Sequence, residues 1–168
     1  WLKTLNDPRI RVQSSTSSFS IVESWARIKR EPKREYMTMI GHDDLFDPGF
    51  LAAIQVLINR HPDAALFQTG SRLINSEGKT IRDSRPVAMH ETAADYLRAR
   101  FEFRRDVFGT GYVMRSADYE KVGGIPAFDR LFFADDALWL SIMRGSYKVN
   151  DPAVYFAVRI HSRSESAS

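Results

Sequence analysis

The residues best suited to chemistry are two adjacent carboxylates, Asp43 and Asp44, which close the stretch Tyr36-Met37-Thr38-Met39-Ile40-Gly41-His42-Asp43-Asp44. An apolar run ending in glycine reads as a buried strand with a turn beyond it. In an open α/β sheet, ligands bind just past the carboxyl ends of the strands. Two like charges side by side are costly unless a cation or a hydrogen-bonded ligand offsets their repulsion. Hard oxygen ligands at this density suit magnesium or manganese, which keep several waters and are completed by substrate phosphates. Such a pair would hold a diphosphate and stabilise its charge as it leaves. The plainer reading, a solvated turn that caps the next helix, stands beside it.

Three further segments carry candidate groups. Asp135 and Asp136 stand at the start of a helical pattern, where N-capping and a favourable helix dipole, worth about 0.5–2 kcal/mol, would account for them. The alternative is a general base, one of the two taking the proton of an acceptor hydroxyl. Arg159-Ile160-His161 follows a strand pattern. There Arg159 can bind phosphate oxygens and His161, as a neutral imidazole, can complete a metal site; an ordinary surface histidine is the alternative. Gly109-Thr110-Gly111 permits close backbone approach to a ligand or forms a plain turn, and it matches neither the dinucleotide nor the P-loop glycine spacing. His61 and His90 read as incidental, and no serine stands in a nucleophile-elbow context.

The elements that must position these groups follow from periodicity. Residues 9–13 alternate weakly, as a short strand would. Ser20 and Glu23 form a capping box for a helix that carries Ile21, Val22, Trp25 and Ile28 on one face and stops at Glu31-Pro32. Residues 36–40 read as a buried strand, and Asp47-Pro48 as an N-cap with proline at the first helical position. Phe50, Leu51, Ile54, Leu57 and Ile58 then form one apolar helix face. Strands are expected at residues 64–69, 111–115 and 153–159, with a hairpin over 72–81 folded around Asn75-Ser76-Glu77-Gly78. Helices are expected at residues 91–103, in a short piece closed by Gly123-Gly124, and at 135–144 with Gly145 beyond its end. The order predicts a mixed α/β sheet with helices on its faces.

Composition narrows the classes. A chain of 168 residues with 43% hydrophobic residues fits one domain over residues 1–168, its serine-rich end at 162–168 reading as a flexible tail. The formal charge of +3 suits a phosphate-bearing ligand or an anionic membrane surface, and falls short of a nucleic-acid footprint. The densest basic run, residues 27–34, is broken by Glu31 and Pro32 and reads as a solvated helix end. With no cysteine, disulfides, thiolate catalysis and cysteine-bound zinc are excluded. No apolar stretch has the length of a membrane span and no signal peptide pattern opens the chain, so a soluble, cytoplasmic protein is expected. Trp1, in place of an initiator methionine, fits a processed product or a piece of a longer protein.

In order and spacing, these segments resemble the family 2 glycosyltransferases of the GT-A fold. The matching pieces are residues 20–25, residues 35–48, Val122-Gly123-Gly124-Ile125, residues 135–140 and Arg159-Ile160-His161. The resemblance implies a Rossmann-like GT-A sheet, a nucleotide-diphosphate sugar donor, a divalent cation (Mn2+ or Mg2+) and transfer of the sugar to an acceptor hydroxyl with inversion. It implies that Asp44 contacts the metal and diphosphate, that Asp43 lies beside it near the ribose or donor sugar, and that Asp135 is the base. Asp136 is the neighbouring alternative. His161 resembles a late histidine that approaches the metal, and Arg159 would help stabilise the departing diphosphate. Ala134 stands where the family often has Glu, His42 where many members carry another Asp, and Glu23 where Asn is frequent.

The resemblance also implies a carbohydrate or lipid-linked acceptor, a place in polysaccharide or glycolipid biosynthesis, and a position peripheral to the inner face of the membrane. Self-association is compatible with it. The family's opening strand-helix-strand has no counterpart in residues 1–10, so an N-terminally truncated GT-A domain is expected, with exposed sheet edges. Two rivals remain: a non-catalytic GT-A remnant that binds a sugar or a partner, and a metal-dependent nucleotidyltransferase using the same Asp43-Asp44 pair.

Overall fold

A computed structural model of the chain describes residues 4–160; the expectations for His161 and for the tail at 162–168 lie outside the described residues. Helix α1 (Ile21–Ala26) opens as its sequence dictates: the Ser20 hydroxyl accepts from Glu23 N–H while the Glu23 carboxylate accepts from Ser20 N–H. It tightens into a 3-10 turn (Arg27–Arg30) and stops before Pro32. Strands β1 (Tyr36–Thr38) and β2 (Leu45–Phe46) flank the acidic turn, and α2 (Phe50–Arg60) follows. Next come β3 (Leu66–Ile74), β4 (Thr80–Asp83), β5 (His90–Glu91), α3 (Ala93–Phe101), β6 (Tyr112–Arg115), α4 (Ser116–Lys121), α5 (Ala134–Ile142) and β7 (Lys148–Arg159).

The sheet runs β1-β6-β3-β7-β2, with β4 paired to β3 and β5 to β7. It is mixed: β3 and β7 are parallel, and the other pairs are antiparallel. Period-two alternation divides its side chains between two layers. Leu66, Tyr112 and Met114 face α3, α4 and α5, packing with Tyr96, Tyr119, Leu138 and the fully buried Trp139. Phe67, Val113 and Val149 face α2, packing on Phe50, Ile54 and Leu57. The expected α/β architecture with helices on both faces is therefore the one observed.

Several local expectations are corrected. Residues 9–13 form no strand. Asp47 does not cap α2: that helix begins at Phe50 behind Gly49, and the Asp47 carboxylate instead accepts from Arg72 at 3.0 Å. Leu51 points away from the apolar face of α2 and is exposed. Residues 36–40 are only half-buried over β1, and Ile40 is exposed. β3 and β7 run longer than expected, β7 continuing through Pro152 where the β3 pairing shifts register at Gly70. A Cβ at Gly70 would stand 2.6 Å from the Pro152 carbonyl, so glycine permits this close approach. In the basic run, Lys33 is not solvated; its side chain is buried over the Tyr119 ring and donates to two backbone carbonyls.

Gly111 is a further place where glycine is required. Its φ is +81°, and a Cβ there would lie 2.4 Å from the Phe156 ring. Gly111→Ala is expected to lower stability by about 1–3 kcal/mol, since left-handed backbone and overpacking both cost. Chemical denaturation of the variant beside Gly123→Ala checks this, because Gly123 has a similar φ with nothing near its Cβ position. Equal losses in the two would show that the Phe156 contact contributes nothing.

Candidate functional site

The acidic turn lies where β1 ends. Asp44 is fixed by two donors from distant parts of the chain: the Thr110 hydroxyl at 2.9 Å from Oδ2, and the Arg159 backbone N–H at 3.1 Å from Oδ1. Each carboxylate oxygen keeps a second lone pair after accepting one bond. Gly41 makes room for the pair, since a Cβ there would lie 2.7 Å from Asp44 Oδ2 and 3.4 Å from Asp43 Oδ1. The two carboxylates therefore converge over one backbone position. His42 points outward, its side chain almost wholly exposed and its Nδ1 3.7 Å from Asp43 Oδ1.

Arg159 reaches this turn by its side chain as well. Its Nε donates to the Asp43 carbonyl at 3.0 Å, and Nη1 donates to the carbonyls of Asn75 and Ser76 at 2.8 and 3.1 Å. The guanidinium thus ties the β3–β4 hairpin turn to the acidic turn. That turn is itself shaped by the Asn75 side chain, which accepts from the N–H groups of Glu77 and Lys79.

An open cleft of about 840 Å³ fronts the carboxylates. Its walls include Trp25, Tyr36, Met37, Phe108 and Thr110. Apolar and aromatic walls with a few convergent polar groups are the usual make-up of a ligand site. A second groove of about 880 Å³, lined by Asp63, Arg115, Lys121 and Arg144, lies at the opposite ends of β1 and β6 and contains none of the expected site residues.

The second acidic pair is reached through the segment that holds the first. A Cβ at Gly109 would stand 3.8 Å from both Asp135 Oδ2 and the Trp25 ring, and the next residue is Thr110, the donor to Asp44. Asp135 and Asp136 differ sharply in environment. Asp136 is buried, accepting from the Tyr96 hydroxyl at 2.8 Å and from Arg100 Nε at 3.3 Å. Burial first, and then the neighbouring Asp136 charge, push the Asp135 carboxyl above the usual carboxylate range, against the pull of backbone N–H groups and Arg100. A carboxyl raised in this way is poised to exchange a proton.

Of the plainer alternative for this pair, N-capping does not hold, while a favourable place in the helix dipole does. The N-cap of α5 is Phe133, in left-handed backbone and without a side-chain cap, while both aspartates lie inside the first turn. Thr110 was missed at the sequence level except as part of a glycine turn; a hydroxyl between two glycines was the available signal. His61 and His90 pack edge-to-face on each other beside Tyr147, in keeping with an incidental role.

Whether a cation fits can be judged from the donor set. Among the described residues, no three His, Cys, Asp or Glu side chains come together as a cation site. Two convergent carboxylates nonetheless match the way magnesium and manganese are bound when substrate phosphates and water complete the shell. Asp44 and Asp43 are the residues that could hold such an ion.

No protein-family model and no curated protein matches the sequence. Among solved structures, the chain is similar to S. aureus TarS (residues 1–349), a glycosyltransferase of the GT-A fold, with a TM-score of 0.56 and 11% sequence identity. The similarity covers 78% of this chain and 37% of TarS 1–349, so the chain spans well under half the length of that structure. The chain thus has a mixed α/β sheet flanked by helices, similar in fold to a GT-A glycosyltransferase.

Proposed function

We propose that this chain is the metal-diphosphate and base-bearing part of a family 2-like glycosyltransferase, which passes a sugar from a nucleotide diphosphate to an acceptor hydroxyl. One observation carries the reading: the segment Gly109-Thr110 joins the two acidic motifs, its hydroxyl holding Asp44 and its glycine lying against Asp135. A diphosphate site and a proton acceptor then share one wall.

In this reading Asp44 and Asp43 hold Mn2+ or Mg2+, which when bound supplies Lewis-acid stabilisation of the diphosphate. Thr110 and the Arg159 N–H keep Asp44 aimed, and the Arg159 side chain keeps the hairpin turn over the site. Asp135 takes the proton of the acceptor hydroxyl as that oxygen attacks the anomeric carbon and the bond to the diphosphate breaks, inverting the centre. Asp136, committed to Tyr96 and Arg100, is the positioning member of the pair. His161 would complete the metal shell. A carbohydrate or lipid-linked acceptor, a role in polysaccharide or glycolipid synthesis, and a homo-oligomer belong to the same proposal.

The experiment is calorimetric titration of the chain with uridine and thymidine diphosphates, with and without manganese, beside Asp44→Ala. The expected result is manganese-dependent binding that falls by at least about tenfold in the variant. Binding that ignores both manganese and the substitution would instead favour the non-catalytic, sugar- or partner-binding reading. Release of pyrophosphate from a nucleoside triphosphate would mark the nucleotidyltransferase.

A further inference from the structure

Between α3 and β6, residues 102–111 form neither helix nor strand. This strap nonetheless carries Thr110, which holds Asp44, and Gly109, which lies against Asp135. Glycine flanks Thr110 on both sides, and Gly111 is in left-handed backbone. Two glycines leave the local backbone many conformations to choose from. Where the Thr110 hydroxyl points is therefore set by what fastens the strap on either side of it.

Downstream the fastening is immediate: Gly111 N–H donates to the Met39 carbonyl at 3.0 Å, and β6 begins at Tyr112. Upstream it falls on two adjacent residues with different partners. Arg105 is buried against Glu91 and the Tyr96 ring. Asp106 is bonded to β4 and the residues after it. Its Oδ2 accepts from Arg82 Nη1 at 2.9 Å and from Arg85 N–H at 2.8 Å, and its Oδ1 accepts from Arg82 Nη2 at 2.7 Å. A two-pronged guanidinium–carboxylate pair fixes orientation as well as distance. The Arg82 bonds, with burial opposing and the Arg85 N–H assisting, hold the Asp106 carboxyl below the usual carboxylate range. Arg85 returns to the strap a second time, its guanidinium donating to the Phe103 carbonyl.

The role of β4 points the same way. All four of its residues are exposed, so core packing does not account for its place in the fold. What the β3–β4 hairpin supplies is polar ties. Its turn is bonded by the side chain of Arg159, whose backbone N–H is one donor to Asp44. Its far strand is bonded through Arg82 to the strap, whose Thr110 hydroxyl is the other donor. Both donors that fix Asp44 are thus tethered to one hairpin.

We infer that Asp106 is a positioning residue for the acidic site: clamped by Arg82 and Arg85, it sets the strap so that the Thr110 hydroxyl meets Asp44. Its own carboxylate is taken up by the two arginines, so it acts through Thr110, four residues further on. The consequence for ligand binding rests on the diphosphate reading above; the aim of the Asp44 carboxylate does not.

Two readouts test it. Without any ligand, hydrogen exchange of the Arg159 N–H, which is bonded to Asp44 Oδ1, reports how firmly that carboxylate is held. Asp106→Ala and Thr110→Val are each expected to speed this exchange at least about tenfold while the amides of α2 keep their protection, and the double variant is expected to add little to either. Arg82→Gln, on the exposed side of the clamp, is expected to act in the same direction, and Asp106→Asn, which keeps the shape and part of the bonding, to recover part of the protection. With uridine diphosphate, the ratio of affinities with and without manganese is expected to fall about tenfold in Asp106→Ala, and no further when Thr110→Val is added. General damage to the fold would weaken binding in both conditions and leave the ratio alone. Unchanged Arg159 exchange in Asp106→Ala, or effects of the two substitutions that simply add, would overturn the proposal. Protection lost across α2 as well would assign Asp106 to overall stability and equally overturn it. If the unaltered chain binds uridine diphosphate without regard to manganese, the diphosphate reading fails, and the exchange result still decides the role of Asp106.

Discussion

Glu91→Ala is expected to destabilise the fold by about 3–5 kcal/mol, because it removes the one carboxylate that neutralises two buried cations. Glu91 lies on β5 at the foot of α3, 4% exposed. Its Oε1 is 2.6 Å from Arg105 Nη1 and its Oε2 is 2.8 Å from Lys148 Nζ. The cations are held between aromatic faces, Arg105 3.8 Å from the Tyr96 ring centre and Lys148 5.3 Å from that of Tyr112, and Lys148 also donates to Gln68 at 3.0 Å. Ring quadrupoles soften the burial of each charge without replacing a counter-ion. Urea denaturation at neutral pH measures the loss; a cost below about 1 kcal/mol would mean the triad is not as dry as its geometry implies.

Lys148→Met provides the contrast. It leaves Arg105 and Glu91 as a matched pair, so the cost is expected to be much smaller. The same residue gives the unaltered chain a pH signature. Burial, followed by the Arg105 charge, pushes the Lys148 ammonium down to about 8, with Glu91 pulling the other way. Between about 8 and the ordinary lysine value, the native chain has released a proton that the unfolded chain still holds. Stability from this group therefore rises with pH across that window. Lys148→Met removes the rise.

Asp135→Asn is expected to separate function from stability. If Asp135 is the base, the substitution lowers turnover by about 10²–10⁴-fold in a protein that contains this chain and consumes a nucleotide-sugar. Its effect on folding runs the other way. The Asp135 carboxyl is raised in the folded chain, so its contribution to stability is full in acid and is lost as pH rises through the folded value. At neutral pH the buried charge is a burden that asparagine does not carry. The variant is therefore expected to melt higher at pH 7, by about 2–4 °C for each kcal/mol relieved, with the gap closing in acid. Thermal melts across pH read this directly. A variant less stable than the parent at neutral pH would sink the assignment of a desolvated carboxyl, raised by burial, to Asp135. Asp136→Asn serves as the counterexample, since it strips Tyr96 and Arg100 of a buried acceptor and is expected to cost stability.

These groups were legible in the sequence to different degrees, for physical reasons. The α1 capping box was legible because Ser20 and Glu23 complete it within one turn. Asp43 and Asp44 were legible because an apolar run, a glycine and two carboxylates form a local pattern. The start of α2 was misread because Asp47 finds a stronger partner in Arg72, far away in sequence. Thr110 was visible only as part of a glycine turn, and Glu91, Arg105 and Lys148 left no mark, since each acts through residues brought together only by the sheet. Single charged residues in a sequence look alike whether they end in water or between two tyrosine rings. The difference between Asp135 and Asp136 was likewise invisible, because Tyr96 and Arg100 create it from another helix.

Arg159 has a consequence for how the chain acquires its site. It ends β7, the last strand of the described residues, yet its backbone N–H and side chain fasten Asp44, Asp43, Asn75 and Ser76. β7 also inserts in parallel beside β3, about eighty residues earlier, between β3 and β2. Closing loops of that length is slow relative to local pairing. A ribosome-bound chain that has not yet released β7 can form α1, α2 and the β3–β4 hairpin, but it leaves an open strand edge and a loose acidic turn. The fixed geometry of the acidic turn is thus a late event in biogenesis, and such a nascent chain presents an unpaired strand edge to chaperones before that turn is set.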